Sequence, residues 1–291
     1  MTLRMWTIPA ALCGSVALAA GAGAAEPEKA WQVDGLDTPE SAVLDAGEGT
    51  LYVSNINGEV NAADGNGYIS KLSATGEMVE KAWVEGLNAP KGLAFKDGKL
   101  YVADIDELVV IDTASGEIAE RYKADGTSFL NDVSAHEDGR VFVTEMMLNQ
   151  IWQLDGGAFE LWLEDPALEN PNGVLAEGDR LLVASWGVMK EGFETEVPGH
   201  VKTIDYASKQ IESLGGGKPV GNLDGLEPDG QGGYLATDWM AGSLYRLDAE
   251  GGAQTVLELG QGTADLEFIE GESLAVIPMM MDGAVAAYKV E

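Results

Sequence analysis

One short pattern occurs six times along the chain, and this repetition limits the possible fold more than any other feature of the sequence. Each copy reads as a strand, a tight turn and a second strand, as in ENPNGVLAEGDRLLVASWG, which begins at Glu169. The other five copies begin at Thr38, Ala89, Phe129, Leu223 and Ala264. Six strand–turn–strand units indicate a repeat protein, in which each unit buries its apolar face against its neighbours.

Each copy continues with a third strand, and all but the last continue with a fourth. The last copy stops at Glu291 after its third strand. Residues 28–36, which precede the first copy, closely resemble residues 80–87, which should form the outermost strand of that copy. We therefore predict that residues 28–36 complete the last unit. The predicted fold class is all-β, a six-bladed β-propeller with four antiparallel strands per blade and the last blade closed by the N-terminal strand.

The first 25 residues have the features of a signal peptide. Arg4 gives a positive start, residues 6–20 are mostly apolar, and small residues follow at 22–25. The apolar run is too short and too rich in Ala and Gly for a membrane anchor. We predict a cleaved signal at residues 1–25, a periplasmic or secreted protein, and one propeller domain at residues 26–291. The regular spacing favours this organisation over a β-sandwich or a two-domain β protein.

The charge and the cysteine content exclude several classes of partner and site. The chain has 17 basic and 49 acidic residues, a net charge of −32. Such an acidic surface repels nucleic acid and anionic membranes and attracts cations. The single cysteine, Cys13, lies in the predicted signal, so the mature chain would have no disulfide and no thiolate ligand. We expect a monomer with a small-molecule substrate, and no nucleic-acid or membrane partner after signal cleavage.

The residue that opens the innermost strand of each unit is predicted to face the central channel at one mouth. These six residues are Glu40, Lys91, Asn131, Asn172, Asp224 and Asp265. A second set, at the other end of each hairpin, is predicted to form the surrounding wall: Ser54 or Asn55, Asp104, Glu145, Trp186, Asp238 and Met279. Two insertions, residues 56–66 and 188–199, follow the second strands of units one and four. They either rise over the same mouth as lids or are plain surface loops.

Five of the six channel residues carry side-chain oxygens, three as carboxylates and two as amides. Buried carboxylates crowd one axis only when a positive charge lies among them. Lys91 is one candidate for that charge, and a divalent cation is another. Calcium prefers oxygen ligands, whereas zinc prefers His or Cys, and His136 and His200 are predicted to lie away from the ring. We therefore expect Ca²⁺, with Zn²⁺, Mn²⁺ and Mg²⁺ as alternatives.

The repeats and their short motifs resemble the SMP-30/gluconolactonase/LRE-like six-bladed propellers, and more distantly diisopropylfluorophosphatase and the paraoxonases. Those enzymes hold a catalytic divalent metal at the channel mouth through a Glu, an Asn and an Asp, joined by a further Asn in the two distant groups. The resemblance implies that Glu40 in Pro-Glu-Ser, Asn172 in Pro-Asn-Gly and Asp224 in Leu-Asp-Gly are metal ligands. Asn131 in Leu-Asn-Asp matches the additional Asn, which contacts metal or substrate.

The resemblance implies an exported, divalent-metal-dependent hydrolase that opens a lactone or a similar ester at the channel mouth. Asp224 would be the general base or nucleophile, and Lys91 or Asn131 would stabilise the negative oxygen that develops. The predicted substrate-pocket residues are Asp104, Glu145, Trp186, Asp238, Trp239, Asp265 and Met279. The alternative is a non-catalytic propeller that binds a small ligand or a partner protein at the same mouth. A ring closed by Lys91 bonded to Glu40 and Asp224 would favour that alternative.

Overall fold

The computed structural model describes residues 27–290, so the predicted signal at residues 1–25 lies outside the described residues. The described chain forms six sheets of four antiparallel strands each. Five sheets contain consecutive strands, and the sixth combines the first strand of the described chain with the last three. This confirms the six-bladed β-propeller and its closure by the N-terminal strand. Within residues 27–290, no helix has the length and apolar character needed to cross a membrane.

The strands are numbered in chain order, and blade one starts with the second of them. Their bounds are β1 Lys29–Asp34, β2 Pro39–Asp45, β3 Thr50–Asn55, β4 Gly67–Ser73, β5 Met78–Leu87, β6 Pro90–Lys96, β7 Lys99–Asp104, β8 Glu107–Asp112, β9 Glu117–Lys123, β10 Leu130–Ala135, β11 Val141–Glu145, β12 Gln150–Asp155, β13 Ala158–Glu164, β14 Pro171–Glu177, β15 Arg180–Ser185, β16 Val201–Asp205, β17 Ile211–Ser213, β18 Leu223–Pro228, β19 Tyr234–Asp238, β20 Ser243–Leu247, β21 Ala253–Glu258, β22 Glu267–Ile269, β23 Leu274–Met279 and β24 Ala284–Lys289. Short 3₁₀ helices span Pro166–Leu168, Leu214–Gly217 and Glu270–Glu272. Blades one to five are β2–β5, β6–β9, β10–β13, β14–β17 and β18–β21, and blade six is β22–β24 with β1.

Apolar side chains fill the spaces between neighbouring blades, so the core is divided into layers. Alternate residues of a strand face opposite sides of its sheet, and both sides of each blade are covered by a neighbour. Between blades one and two, Ile69 and Leu87 pack in one cluster with Leu100 and Val109. The other blade pairs are joined by similar clusters. Each blade is therefore held mainly by burial of apolar surface against the next.

Strand β1 closes the ring by pairing with β24. The pairing runs from Lys29, opposite Tyr288, to Asp34, opposite Ala284. Val33 is buried in the layer between blades six and one. The two ends of the described chain are therefore held together by a ladder of backbone hydrogen bonds and by shared apolar contacts.

Replacing Val33 by alanine is expected to lower the free energy of unfolding by about 2 kcal/mol, because two buried methyl groups are lost and a cavity remains. Val33 is 8% exposed, whereas Val79, also on an outermost strand, is 64% exposed. The same substitution at Val79 is the matched control and should change the free energy by less than about 0.5 kcal/mol. Urea denaturation measures both values. Equal effects at the two positions would contradict the closure of the ring by β1.

The innermost strand of a blade, here called the inner strand, carries a β-bulge near its start. In β2, Glu40 and Ser41 together face the single residue Ser54 of β3, and the Ser41 N–H donates to Ser54 Oγ at 2.9 Å. The same register shift occurs in β6, β10, β14 and β18. Because a bulge re-aims side chains and interrupts regular pairing, it turns the second residue of each of these strands toward the channel mouth.

Glycine follows the second residue in three inner strands because neighbouring strands approach closely there. A Cβ at Gly173 would overlap the carbonyl oxygen of Asp224, and a Cβ at Gly92 would overlap the Cα of Asp132. Only a residue without a side chain permits this approach. The inner strands therefore surround a narrow channel, and their second residues converge at one end of it.

Candidate active site

A cavity of about 170 Å³ opens at the mouth of the channel, and the predicted ring residues form its polar floor. Those on the floor are Glu40, Lys91, Asn131, Asn172 and Asp224. Each is buried, and each is the second residue of an inner strand. The structure therefore brings together the four side chains predicted to bind metal and the lysine predicted to lie among them.

The two asparagines are linked to each other and orient one another. Asn131 Nδ2 donates a hydrogen bond to Asn172 Oδ1. Asn172 Nδ2 in turn donates to the carbonyl oxygen of Leu223 at 3.2 Å. Asn172 also forms a hydrogen bond with the carboxylate of Asp224. The amide of Asn172 is thus fixed between the residues on either side of it in the ring.

Glu40 has an incomplete set of partners for a buried carboxylate. Its Oε2 atom is inaccessible to solvent and has no hydrogen-bond partner. Burial raises the pKa of Glu40 well above its ordinary value, and the charges of Asp224 and Asp265 raise it further, while Lys91 opposes the rise. A buried acceptor without a donor is unfavourable, and a bound cation at the floor would satisfy it.

Asp224 lies in a similar environment but has a partner. Burial raises the pKa of Asp224 well above its ordinary value, and the charge of Asp265 adds to the rise. The hydrogen bond from Asn172 opposes it. A carboxylate with a raised pKa is a better proton acceptor than an exposed one.

Lys91 supplies the positive charge on the floor, but it does not close the ring. Its ammonium group donates to the carbonyl oxygen of Ala89 at 3.0 Å and lies 4.8 Å from the centre of the Phe129 ring. In the described chain it forms no hydrogen bond with Glu40 or Asp224, so the arrangement that would favour a non-catalytic binder is not present. Burial lowers the pKa of Lys91 to about 8, although neighbouring carboxylates oppose this shift.

An apolar wall surrounds the floor, and it comes from one position repeated in every blade. This position directly follows the second strand of the blade and is occupied by Ile56, Ile105, Met146, Trp186, Trp239 and Met280. All of them except Ile105 border the cavity, and Ile105 packs beside Ile56. Trp186 and Trp239 were predicted from the sequence, and the other four were not. The signal that could have found them is the large apolar residue directly after the second strand of every blade, which in blade four was the predicted residue itself.

Both insertions contribute to the wall as well. Val60 of the first insertion and Phe193 of the second border the cavity together with Phe129. The Phe193 ring lies 6.0 Å from the rings of both Phe129 and Trp186. Trp186 Nε1 donates to the carbonyl oxygen of Phe193 at 2.9 Å. The two insertions therefore reach over the mouth of the channel, as the lid alternative predicted, and are not plain surface loops.

In the described chain, five predicted substrate-pocket residues do not border this cavity: Asp104, Glu145, Asp238, Asp265 and Met279. Three of these carboxylates instead accept backbone N–H groups, Asp104 from Asn88 and Ala89, Glu145 from Phe129 and Leu148, and Asp238 from Met240 and Ala241. These bonds hold the loops of the mouth in place. Asp104, Glu145 and Asp238 therefore have a structural role here, instead of the predicted contact with the substrate.

Asp265 was predicted to complete the ring, but Ala264 occupies that position. Thr263 bridges to Met279, which makes Ala264 the second residue of the inner segment in blade six. Asp265 follows one position later, where its Oδ2 accepts a hydrogen bond of 2.6 Å from Ser41 Oγ. Its carboxylate borders a deeper cavity of the channel. The register prediction failed here because blade six lacks the Pro or Leu that precedes the ring residue in the other blades.

Part of the chain matches a known family in sequence, and its fold matches solved structures. Residues 38–174 match the family model described as the SMP-30/Gluconolactonase/LRE-like region. The match covers slightly less than half of the chain. The resemblance predicted from the motifs is thus confirmed, and the matched residues include Glu40, Asn131 and Asn172 but not Asp224. No curated protein matches the chain in sequence.

Several solved structures share the fold of this chain. Regucalcin from Agrobacterium tumefaciens, described as a calcium-binding protein, is 17% identical with a TM-score of 0.66, covering 89% of this chain and 92% of its own. Virginiamycin B lyase from Staphylococcus aureus is 13% identical with a TM-score of 0.62, covering 91% and 100%. A Bacteroides thetaiotaomicron protein of unknown function is 12% identical with a TM-score of 0.67, covering 91% and 73%. At these identities the likeness shows the fold alone.

The side chains on the floor of the cavity suit a hard divalent cation. Within residues 27–290, no three or more His, Cys, Asp or Glu side chains are grouped as a metal site. Any cation at the mouth therefore depends on the amide oxygens of Asn131 and Asn172 besides the carboxylates of Glu40 and Asp224. Calcium accepts such mixed sets of carboxylate and amide oxygens, whereas zinc favours nitrogen and sulfur. The side chains present fit calcium better than zinc.

A second group of carboxylates lies deeper in the channel, below the floor. Asp132, Glu227, Asp265 and Glu267 border a cavity of about 130 Å³, and no Lys, Arg or His of the described chain borders it. Burial raises the pKa of each of them, to about 6 for Asp265 and to about 7 for Glu267. Repulsion from the neighbouring acidic groups adds to the rise for Asp132 and Glu227. Folding therefore changes the number of bound protons.

Replacing Glu267 by glutamine is expected to stabilise the protein at pH 8 by about 2 kcal/mol and to leave its stability near pH 4.5 unchanged. The folded pKa of Glu267 is raised, so the folded state binds the proton more tightly than the unfolded state does. Its contribution to stability is present below pH 4.5 and is lost as the pH rises toward 7. The expected size allows for the access of the side chain to solvent through the cavity.

Urea denaturation at pH 4.5 and pH 8 in the presence of EDTA measures this effect. Glu272→Gln, in the exposed 3₁₀ helix Glu270–Glu272, is the matched control and should leave the pH dependence unchanged. A Glu267→Gln variant with the same pH dependence as the parent protein would show that this carboxylate is ionised without cost in the folded state.

Proposed function

We propose that this chain is a divalent-metal-dependent hydrolase that opens a lactone or a similar ester at the channel mouth. The observation that carries the proposal is the convergence of Glu40, Asn131, Asn172 and Asp224 on the floor of one cavity, with Glu40 Oε2 left without a partner. The family region at residues 38–174 supports a gluconolactonase-type propeller. Regucalcin, a structural neighbour, is described as a calcium-binding protein, which agrees with the choice of Ca²⁺.

Glu40, Asn131, Asn172 and Asp224 are the residues that would hold the cation. A bound divalent cation supplies Lewis-acid polarisation of the substrate carbonyl. The hydrogen bonds of Asn172 fix its amide beside Asp224 before any ligand enters. Such preorganisation reduces the cost of assembling the site.

Asp224 is the residue that would accept the proton in this proposal. In the hydrolysis, water adds to the carbonyl carbon, a proton passes from the water to the Asp224 carboxylate, and the bond from that carbon to the ring oxygen breaks. The leaving oxygen then takes up that proton from Asp224, which restores the carboxylate and gives a hydroxy acid. Asp224 borders the cavity, so its carboxylate would be open to a water that enters at the floor.

Lys91 and Asn131 are the donors available to the oxygen that becomes negative when water adds. Lys91 Nζ has further N–H groups besides the one bonded to Ala89 O. Donors fixed in a buried site stabilise a developing negative charge more than donors in water do. The apolar wall would limit the access of bulk solvent to this charge.

The proposal is tested by elemental analysis of the purified protein and a panel of lactones and esters with and without EDTA. We expect a bound divalent metal, loss of hydrolysis in EDTA, and recovery of hydrolysis when Ca²⁺ is added. Metal-free protein that stays inactive after the addition of Ca²⁺, Zn²⁺, Mn²⁺ or Mg²⁺ would contradict the proposal and would favour a non-catalytic binder. Export to the periplasm or outside the cell remains a prediction from residues 1–25.

A further inference from the structure

The cavity combines a small polar floor with a wall that offers almost no polar groups. The side chains of the wall that border the cavity are Ile56, Val60, Phe129, Met146, Trp186, Phe193, Trp239 and Met280. A polyhydroxylated substrate needs hydrogen-bond partners for each hydroxyl that it buries, because an unpaired buried hydroxyl is unfavourable. The wall supplies no such set of partners, which distinguishes it from a site for sugar lactones.

The two tryptophans of the wall cannot replace these partners, because their N–H groups are already used. Trp186 Nε1 donates to Phe193 O at 2.9 Å, and Trp239 Nε1 lies 3.1 Å from Met280 Sδ. The two indole rings are 6.1 Å apart and tilted by 49°. They present ring surface to the cavity, and ring surface favours apolar groups.

The apolar surface continues outward from the cavity onto the loops of the same mouth. Large apolar side chains are exposed on the connections between the second and third strands of blades three to six: Met147, Leu148, Val188, Val197, Met240 and Met281. Exposed apolar residues concentrated on one rim mark a place where apolar groups bind. The rim thus extends the wall for a ligand longer than the cavity.

The size of the cavity sets the size of the group that is buried. A cavity of roughly 150 Å³ holds one benzene molecule, and this cavity measures about 170 Å³. The cavity therefore buries about six to eight non-hydrogen atoms of a ligand, by comparison with benzene. A lactone ring on the floor takes up most of this volume, so a long side group extends along the wall onto the rim. The net charge of −32 disfavours anionic ligands, and the apolar wall offers no partner for a cationic side group, so a neutral ligand fits best.

We infer that the substrate of the proposed hydrolase is a neutral lactone with a long alkyl or an aromatic side group, rather than a sugar lactone. The lactone group lies on the polar floor, its apolar group lies against the two tryptophans and the methionines, and any excess length lies on the rim. The identity of the reacting group rests on the proposed function. The preference for an apolar group rests on the wall alone.

The test measures binding with lactams, which match lactones in shape but resist hydrolysis. The probes are 5-alkyl-2-pyrrolidinones with alkyl groups from methyl to octyl, and the lactam analogue of a glucose lactone. Isothermal titration calorimetry should show the Kd falling about fourfold for each added methylene group up to about six carbons. The glucose-type lactam should bind at least tenfold more weakly than the hexyl compound.

A pair of variants tests whether the wall of the cavity causes this preference for apolar groups. Trp239→Gln is expected to weaken binding of the octyl lactam at least tenfold and that of the methyl lactam less than threefold. Leu161→Gln replaces a 44% exposed residue of β13 and should change neither value. Thermal denaturation checks that both variants fold.

The outcomes separate the two proposals. A Kd independent of alkyl length, or tighter binding of the glucose-type lactam, would overturn the inference about the substrate class. If binding depends on alkyl length but no lactone is hydrolysed with any of the added metals, the preference for an apolar group would be supported and the proposed catalysis contradicted. Rapid hydrolysis of sugar lactones with slow hydrolysis of alkyl lactones would support the catalysis and contradict this inference.

Discussion

Replacing Asp224 by asparagine is expected to lower kcat/KM for lactone hydrolysis at least about a thousandfold, which corresponds to about 4 kcal/mol of transition-state stabilisation. The substitution removes the carboxylate that accepts the proton of the attacking water, and it replaces one charged ligand of the proposed cation. The fold should be retained, because asparagine has the same shape as aspartate and removes the charge of a buried carboxylate whose pKa is raised. Steady-state kinetics with a fixed lactone at saturating Ca²⁺ measures the loss.

Asp282→Asn is the matched control for that variant. Asp282 is an exposed carboxylate on the loop between β23 and β24, so its replacement makes the same change of charge away from the floor. Its kcat/KM should stay within about twofold of the parent value, because interactions between exposed charges are weak. Undiminished activity of Asp224→Asn would place the base on another residue.

Replacing Glu40 by glutamine should have two effects of opposite direction. It should weaken Ca²⁺ binding at least about a hundredfold, because one charged ligand is lost. In EDTA at pH 8 it should raise the free energy of unfolding by about 1–3 kcal/mol, because it removes a buried carboxylate with an unpartnered oxygen.

The pH dependence of the second effect follows from the raised pKa of Glu40. The folded state favours the protonated form of Glu40, so the parent protein loses stability as the pH rises. At pH 4.5 the free energies of unfolding of the parent and of Glu40→Gln should therefore differ little. Glu59→Gln, an exposed carboxylate of the first insertion, is the matched control for both effects. Urea denaturation and calorimetric titration with Ca²⁺ measure them. A Glu40→Gln variant that binds Ca²⁺ as tightly as the parent would remove Glu40 from the proposed ligands.

Much of this architecture could be predicted because the same strand–turn–strand pattern occurs six times in the sequence. The near-identity of residues 28–36 and 80–87 predicted the closure by β1, and the structure confirms it. The motifs Pro-Glu-Ser, Leu-Asn-Asp, Pro-Asn-Gly and Leu-Asp-Gly marked the bulged start of four inner strands. Each such motif fixes the side chain that faces the channel, because a bulge at a constant place acts the same way in each blade.

The rest of the site could not be predicted from a fixed spacing, because the hairpins differ in length. The residues paired at the two ends of the hairpin are 14 positions apart in blade two, where Pro90 faces Asp104. They are 16 positions apart in blade one, where Pro39 faces Asn55. A shift of one residue along a strand moves a side chain to the other face of the sheet. Because of this shift, Asp104, Glu145 and Asp238 were predicted to line the pocket, whereas they hold the loops of the mouth.

Two further features depend on contacts between distant parts of the chain. Val60 and Phe193 reach the cavity from long insertions, whose paths follow from packing over the mouth rather than from a strand pattern. The deeper carboxylates come from three blades and meet only after the ring closes. Sequence periodicity contains no direct signal for either contact.

The central claim is that the floor of the mouth binds one divalent cation through side-chain oxygens. Crystals soaked in MnCl₂ and measured at a wavelength where manganese scatters anomalously test it most directly. The account predicts one strong anomalous peak within about 2.6 Å of oxygens of Glu40, Asn172 and Asp224. An anomalous map with these side chains well ordered and no peak between them, or with the only peak among the deeper carboxylates, would contradict it.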